Sequence, residues 1–131
     1  MAMKFKSVDI PGLLALVLVL ASASALAVPS STWRLQIDGA AESDGELVLA
    51  VTPDGGSAEE IVVAIGRADG ENEIAHKTLV ALQEAVGTDY AIEQDDGEDL
   101  LVRHREGVDL FEVAVVRNSV EGVDVEFDPE W

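Results

Sequence analysis

One stretch of this sequence, residues 69–87, limits the possible folds more than any other, because it is the one convincing helical segment after the N-terminal leader. Its apolar residues recur at the spacing of the buried stripe of a helix. The stripe consists of Ala75, Leu79, Leu82 and Val86, widened by Ile74 and Ala85. We predict a helix from Glu71 to Val86 that packs on a sheet. Asp69 or Gly70 is expected to cap its start, and Gly87 to end it in a left-handed conformation.

Short segments in which apolar and polar residues alternate lie before and after this helix, and they predict β-strands. Their apolar residues are Trp33, Leu35 and Ile37; Leu47, Leu49 and Val51; Ile61, Val63 and Ile65; Tyr90 and Ile92; Leu100, Leu101 and Val102; Phe111, Val113 and Val115; and Val123, Val125 and Phe127. The connections between them are short, which favours antiparallel hairpins. We therefore predict an α+β fold, in which one helix packs on one face of a largely antiparallel sheet of about six or seven short strands.

The second and third predicted strands are apolar on both faces. Val48 and Ala50 lie opposite the core-facing residues of the second strand, and Val62 and Ala64 do so in the third. The second strand is therefore predicted to be central in its sheet. The extra apolar side chains indicate either extension of the sheet or a second packing surface.

The N-terminal segment has the pattern of a secretory signal peptide. Lys4 and Lys6 precede an apolar run, and the segment ends in Ala25-Leu26-Ala27. We predict a signal peptide at residues 1–27, a short tether at 28–31, one α+β domain at 32–128 and a C-terminal tail at 129–131. The protein is then exported to the periplasm or the extracellular space. An uncleaved membrane anchor is the alternative, although the apolar run is marginal for a spanning helix.

The composition excludes several classes of function. The formal net charge is −18, and a surface of that charge repels phosphates, which argues against nucleic-acid binding. The chain contains no cysteine, which excludes disulfides, a thiol nucleophile, thiolate metal sites and a lipidated cysteine.

Several segments together resemble a small module of phage tail-sheath and related surface proteins. They are the runs that begin at Gly45, Ile61, Ala68, Leu79 and Val120. In that family a hairpin precedes a helix with an acidic start and an Ile-Ala pair on its first turn, and two or three strands follow. The resemblance covers residues 33–127 and implies this fold and a role in assembly or display. It implies no catalytic residues, and the predicted leader departs from the family.

Two acidic turns are candidates for binding calcium, because this cation prefers several carboxylate and carbonyl oxygens. The stronger candidate contains Asp95, Asp96, Glu98 and Asp99, and the other spans residues 69–73. Neither has the spacing of an EF-hand loop. The same residues are also ordinary in solvated hairpin turns, so a calcium-stabilised secreted module remains one of two interpretations.

The chemistry of catalysis has little support in the sequence. The two histidines are His76 and His104, and His104 lies in the basic segment Arg103-His104-Arg105. The sequence contains no G-x-S-x-G, H-E-x-x-H or P-loop motif. We therefore predict an exported, acidic, non-enzymatic module that binds another protein or self-associates. The alternative is a small ligand-binding or hydrolytic domain with a concave, anion-accepting pocket around residues 103–105.

Overall fold

A computed structural model describes residues 28–130, in which seven strands and one helix form a single core. The predicted signal peptide, residues 1–27, and the terminal Trp131 lie outside the described residues. The elements in chain order are β1 Thr32–Asp38, β2 Gly45–Pro53, β3 Glu59–Ile65, α1 Glu71–Val86, β4 Tyr90–Asp95, β5 Asp99–His104, β6 Phe111–Asn118 and β7 Asp124–Glu130. This order confirms the predicted α+β class, the helix bounds and the upper strand number.

The strands form two antiparallel sheets instead of the predicted one. The larger sheet has the order β4-β5-β1-β7, and the smaller has the order β3-β2-β6. Within residues 28–130, only β2–β3 and β4–β5 are hairpins between consecutive strands. Short connections were expected to give hairpins throughout, but the loops after β1, β5 and β6 lead from one sheet to the other. The first strand thus pairs with β5 and β7, which follow it much later in the chain.

The helix closes the structure between the free edges of the two sheets. It contacts β3 and β4, which are edge strands, and makes fewer contacts with β1 and β5. Its fully or nearly buried residues are Ile74, Ala75, Thr78, Leu82 and Val86. Ala85, which the stripe was expected to include, is exposed, whereas the Thr78 hydroxyl is buried and donates to the Ile74 carbonyl at 2.8 Å. A buried threonine is acceptable there because its hydroxyl is satisfied within the helix.

The ends of the helix differ in part from the prediction. Gly70 is the N-cap, and its N–H donates to the Glu73 carboxylate at 3.0 Å. Gly87 follows the last residue in a right-handed conformation, with φ −63°, so the predicted left-handed C-terminal residue is wrong. A side chain at Gly87 would still clash, because a Cβ there would lie 2.4 Å from the Gln83 carbonyl oxygen.

Phe111 joins the two sheets. Its side chain is fully buried, and its ring centroid lies 4.6 Å from that of Tyr90, on β4. Its carbonyl accepts a hydrogen bond of 2.7 Å from the indole N–H of Trp33, on β1. Burial, followed by the nearby charges of Asp89 and Asp109, raises the pKa of the Tyr90 hydroxyl. Trp33, Tyr90 and Phe111 are thus core residues, and Phe127 is half-buried.

The two ends of the described chain are attached to the fold. Ser30, in the predicted tether, exchanges two backbone hydrogen bonds with Phe111, at 2.8 and 3.0 Å. Strand β7 continues to Glu130, through most of the predicted tail. Within residues 28–130, no helix has the length and apolar character needed to span a membrane.

Candidate functional site

The two sheets present very different surfaces to solvent, although both turn an apolar face toward the shared core. The outward side of the four-stranded sheet carries mainly carboxylates, and we call it the acidic face. Its acids are Asp38 on β1; Glu93 and Asp95 on β4; Asp99 on β5; and Asp124, Glu126, Asp128 and Glu130 on β7. The outward side of the three-stranded sheet is largely apolar. The two surfaces are the candidate sites that the fold offers.

Arg34 organises the acidic face. Its guanidinium bonds Asp95 at 3.1 Å, Asp99 at 2.9 Å and Glu130 at 3.1 Å. These hydrogen bonds, led by the one to Glu130, hold the pKa of Arg34 above its already high ordinary value. One cation therefore ties together the end of β4, the start of β5 and the end of β7. The sequence showed a single arginine in an alternating strand, but it gave no sign that three distant carboxylates would meet there.

A shallow cleft of about 250 Å³ lies at one end of the acidic face. Six carboxylates line it, together with Gln36 and Ile37: Asp38, Glu71, Glu98, Asp99, Asp124 and Glu126. The Gly39 N–H donates to Glu71 at 2.9 Å, and Asp99 is bound to Arg34. Asp38 lies directly opposite Asp124 in the β1–β7 register, a pairing of like charges that disfavours close approach.

The acidic residues of the predicted calcium-binding turn lie partly at Arg34 and partly in the cleft. Asp95 and Asp99 bind Arg34, whereas Glu98 lines the cleft. Asp96 occupies the β4–β5 turn with φ +53°. Among residues 28–130, no group of three or more acidic or histidine side chains is arranged to hold a metal ion. A calcium site thus stays a prediction from the sequence.

The basic segment at residues 103–105 does not form one shared pocket. Arg103 contacts Glu93 at 3.4 Å, and His104 Nδ1 lies 2.5 Å from the Val108 carbonyl oxygen. Arg105 alone of the three lines a cavity of about 390 Å³ beside the end of the helix, and its Nε donates to the Gly87 carbonyl at 3.1 Å. The three side chains are therefore engaged separately.

The outward side of the three-stranded sheet is the more distinctive surface, and we call it the apolar face. It consists of Val48 and Ala50 on β2, Val62 and Ala64 on β3, and Ala114 and Val116 on β6, and of these Val48 is only 4% exposed. Val62 is 55% exposed and Val116 is 51% exposed. In the register, Val48 lies beside Val62, and Ala50 lies beside Ala114. Four of these residues are those in which the sequence predicted a second packing surface.

A register irregularity enlarges the apolar face on β6. Leu49 pairs with Val115 and Val48 pairs with Arg117, so Val116 is an extra residue in β6. Such a bulge bends its strand and redirects the side chains around it. The sequence did not predict that Ala114 and Val116 belong to the apolar face. The bulge in β6 and the strand beside which β6 lies both depend on strand pairing, which alternation within β6 does not show.

The apolar face continues into a shallow groove between β3 and the helix. The groove has a volume of about 290 Å³, and its apolar lining includes Val62, Ala64, Val80 and Ala81. Val80 is 38% exposed. His76 and Lys77 border the groove, but Lys77 is held by Asp69 at 2.5 Å. That ion pair, followed by the bond from the Gly66 N–H, lowers the pKa of Asp69.

Comparison of the chain with protein-family models gave no match, and neither did comparison with curated proteins. The surfaces of the molecule therefore provide the grounds for a functional proposal.

Proposed function

We propose that this protein is an exported, acidic, non-enzymatic module that binds another protein through the apolar face. The observation that carries the proposal is the exposure of Val62 and Val116 on the outward side of a sheet whose inward side is packed in the core. Isolated exposed apolar residues are common, but a contiguous apolar area rimmed by polar groups is typical of interaction sites. A role in binding or assembly follows from this surface.

The core does not need these side chains. The inward residues of β3 are Ile61, Val63 and Ile65, and each is less than a tenth exposed. An antiparallel sheet with one face in water normally alternates apolar residues inward with polar residues outward. Strand β3 breaks this pattern at Val62 and Ala64, so its outward apolar residues have to be explained by something other than folding of this chain.

The acidic character and the predicted leader support the remainder of the proposal. A net charge of −18 keeps a protein with an apolar face soluble until it meets its partner. The signal-peptide pattern at residues 1–27 supports export to the periplasm or the extracellular space. The resemblance to the tail-sheath module is a further reason to include assembly among its roles.

Photo-crosslinking from single positions tests the proposal. A photoreactive residue at Val62 is expected to capture a protein from the exported fraction, whereas one at Glu126, on the acidic face, is not. The double variant Val62→Thr/Val116→Thr keeps β-branched side chains but removes apolar area, and we expect it to reduce crosslinking from a probe at Ala64. Equal capture from Val62 and Glu126, or no effect of the double variant, would contradict a site on the apolar face.

A further inference from the structure

Carboxylates interrupt and border the apolar face at defined positions. Glu60 lies opposite Ala50, Glu46 lies opposite Ala64, and Glu112 lies opposite Thr52 in the strand register. All three side chains are at least partly exposed. A partner that covers the apolar residues therefore also covers or approaches these three acids. Removing them from water without a compensating charge would cost binding free energy.

Within the described residues, the strands of this face carry one positive charge, which balances only one of these acids. Arg117 is the one basic residue on strands β2, β3 and β6, and its guanidinium bonds Glu46 at 2.7 Å. Glu60 and Glu112 form no ion pair with another residue in the described range of the chain. The compensating charge must come from the partner.

This requirement disfavours a second copy of the chain. In a two-fold contact the same patch is used by both copies, so the unpaired glutamates of both copies would lie in one interface without added cations. Each copy also carries a net charge of −18, which opposes association at low ionic strength. A membrane surface is disfavoured as well, because anionic lipids attract basic segments and would repel these glutamates.

We infer that the apolar face binds a basic polypeptide segment, which presents apolar side chains together with lysine or arginine on the side that meets the sheet. The inference rests on the proposed function and specifies its partner. Apolar side chains of the segment contact Val62 and Val116, and its cations bond Glu60 and Glu112. The alanines on the face have short side chains, which let the backbone of the segment approach the sheet closely.

Binding of two synthetic peptides tests this inference. The first is a labelled peptide of about twelve residues in which pairs of valines alternate with pairs of lysines, so that each side of the extended peptide carries both, and the second replaces each lysine by glutamate. We expect measurable binding of the lysine peptide alone in fluorescence anisotropy, weakened about tenfold between low and high salt. A glutamate peptide that binds equally well would overturn the inference.

Two charge variants distinguish binding at the apolar face from nonspecific attraction of a basic peptide to an acidic protein. Glu60→Gln/Glu112→Gln removes two charges at the apolar face, and Glu126→Gln/Asp128→Asn removes two on the acidic face. The two variants change the net charge equally and differ only in where the charges lie. We expect the first to weaken lysine-peptide binding about tenfold, because its glutamates lie at the site, and the second less than about twofold. Equal weakening by both variants would overturn the inference.

The remaining outcomes distinguish this inference from the proposed function. Lysine-peptide binding that is unchanged in Val62→Thr/Val116→Thr would count against the apolar face itself, and therefore against both. Sedimentation that shows a dimer of the wild type, lost in that variant, would overturn the basic partner but keep the face as an interface. Retained thermal stability of every variant ensures that a loss of binding is not a loss of folding.

Discussion

The acidic face and the apolar face lie on two sheets whose inward sides are both apolar, yet their outward sides differ in charge and polarity. Both sheets bury alternate apolar residues against each other and against the helix. On the acidic face the outward positions carry carboxylates held in part by Arg34. On the apolar face they carry mainly valine and alanine, bordered by glutamates. The difference shows that the inward pattern determines folding, whereas the outward pattern determines whether a sheet meets water or a partner.

The edge strands of the two sheets also differ in how strongly they disfavour pairing with another chain. Strand β7 is an edge of the four-stranded sheet, and its outward acids and Pro129 disfavour pairing with another chain. Strands β3 and β6 are the edges of the three-stranded sheet, and each presents exposed valine. The helix lies beside β3, and Ser30 pairs with the first residue of β6. Because the edge strands of the smaller sheet present exposed valine, whereas β7 presents charge, association is expected at the smaller sheet.

The variant with the largest expected effect on stability removes the side chain that joins the two sheets. Phe111→Ala removes a fully buried ring that contacts Tyr90, so we expect the free energy of unfolding to fall by about 3–5 kcal/mol in urea denaturation. Leu110→Ala is the control, because Leu110 is 42% exposed and its loss should cost about 0.5 kcal/mol or less. Similar losses from the two variants would show that the sheets are not joined at Phe111.

Two adjacent valines on β3 compare the inward and outward sides of the smaller sheet directly. Val63 is 3% exposed and Val62 is 55% exposed. A buried hydroxyl without a partner is unfavourable, so Val63→Thr should lower the free energy of unfolding by about 1–3 kcal/mol. Val62→Thr should change it by less than about 0.5 kcal/mol while reducing partner binding. A large stability loss from Val62→Thr would mean that the apolar face is structural.

The arginine of the acidic face is the next test. Arg34→Met leaves Asp95, Asp99 and Glu130 close together without a cation, and we expect a loss of about 1–2 kcal/mol at neutral pH. Arg103→Met removes a longer, exposed contact with Glu93 and should cost less than about 0.5 kcal/mol. If the two variants lost the same stability, Arg34 would be an ordinary surface residue.

The smallest effect concerns the ion pair beside the groove, and it depends on pH. The pKa of Asp69 lies below its ordinary value of 3.8 in the folded chain, mainly because Lys77 bonds the carboxylate. Its stabilisation is therefore present above the unfolded pKa and lost as the pH falls through the folded pKa. We expect Asp69→Asn to lower the melting temperature at neutral pH, and the difference from wild type to shrink under acid conditions. Asp128→Asn is the control, because it removes the same charge at a position without an ion pair in residues 28–130; an equal fall in melting temperature from both variants at neutral pH would contradict a contribution of the Asp69–Lys77 pair.

Much of the fold was predictable because its signals are local. The helix from Glu71 to Val86 follows from the spacing of its apolar residues, and the strands follow from alternation. The outward apolar residues of β2 and β3 were also visible, since Val48 and Val62 break the alternation. The predicted left-handed Gly87 was wrong because the glycine is required by a close approach to Gln83, which a sequence pattern does not distinguish from a positive φ.

The sequence by itself determined the elements, their inward faces and the strongly acidic balance, because each depends on the order or number of residues in a short stretch. Only the tertiary structure decided that the strands form two sheets, that Arg34 gathers three carboxylates, and that Ala114 and Val116 join the apolar face. These features depend on which strands pair and in what register. Pairing depends on contacts between residues distant in the chain, such as Leu35 with Leu100 on neighbouring strands, and alternation within one strand carries no information about its neighbour.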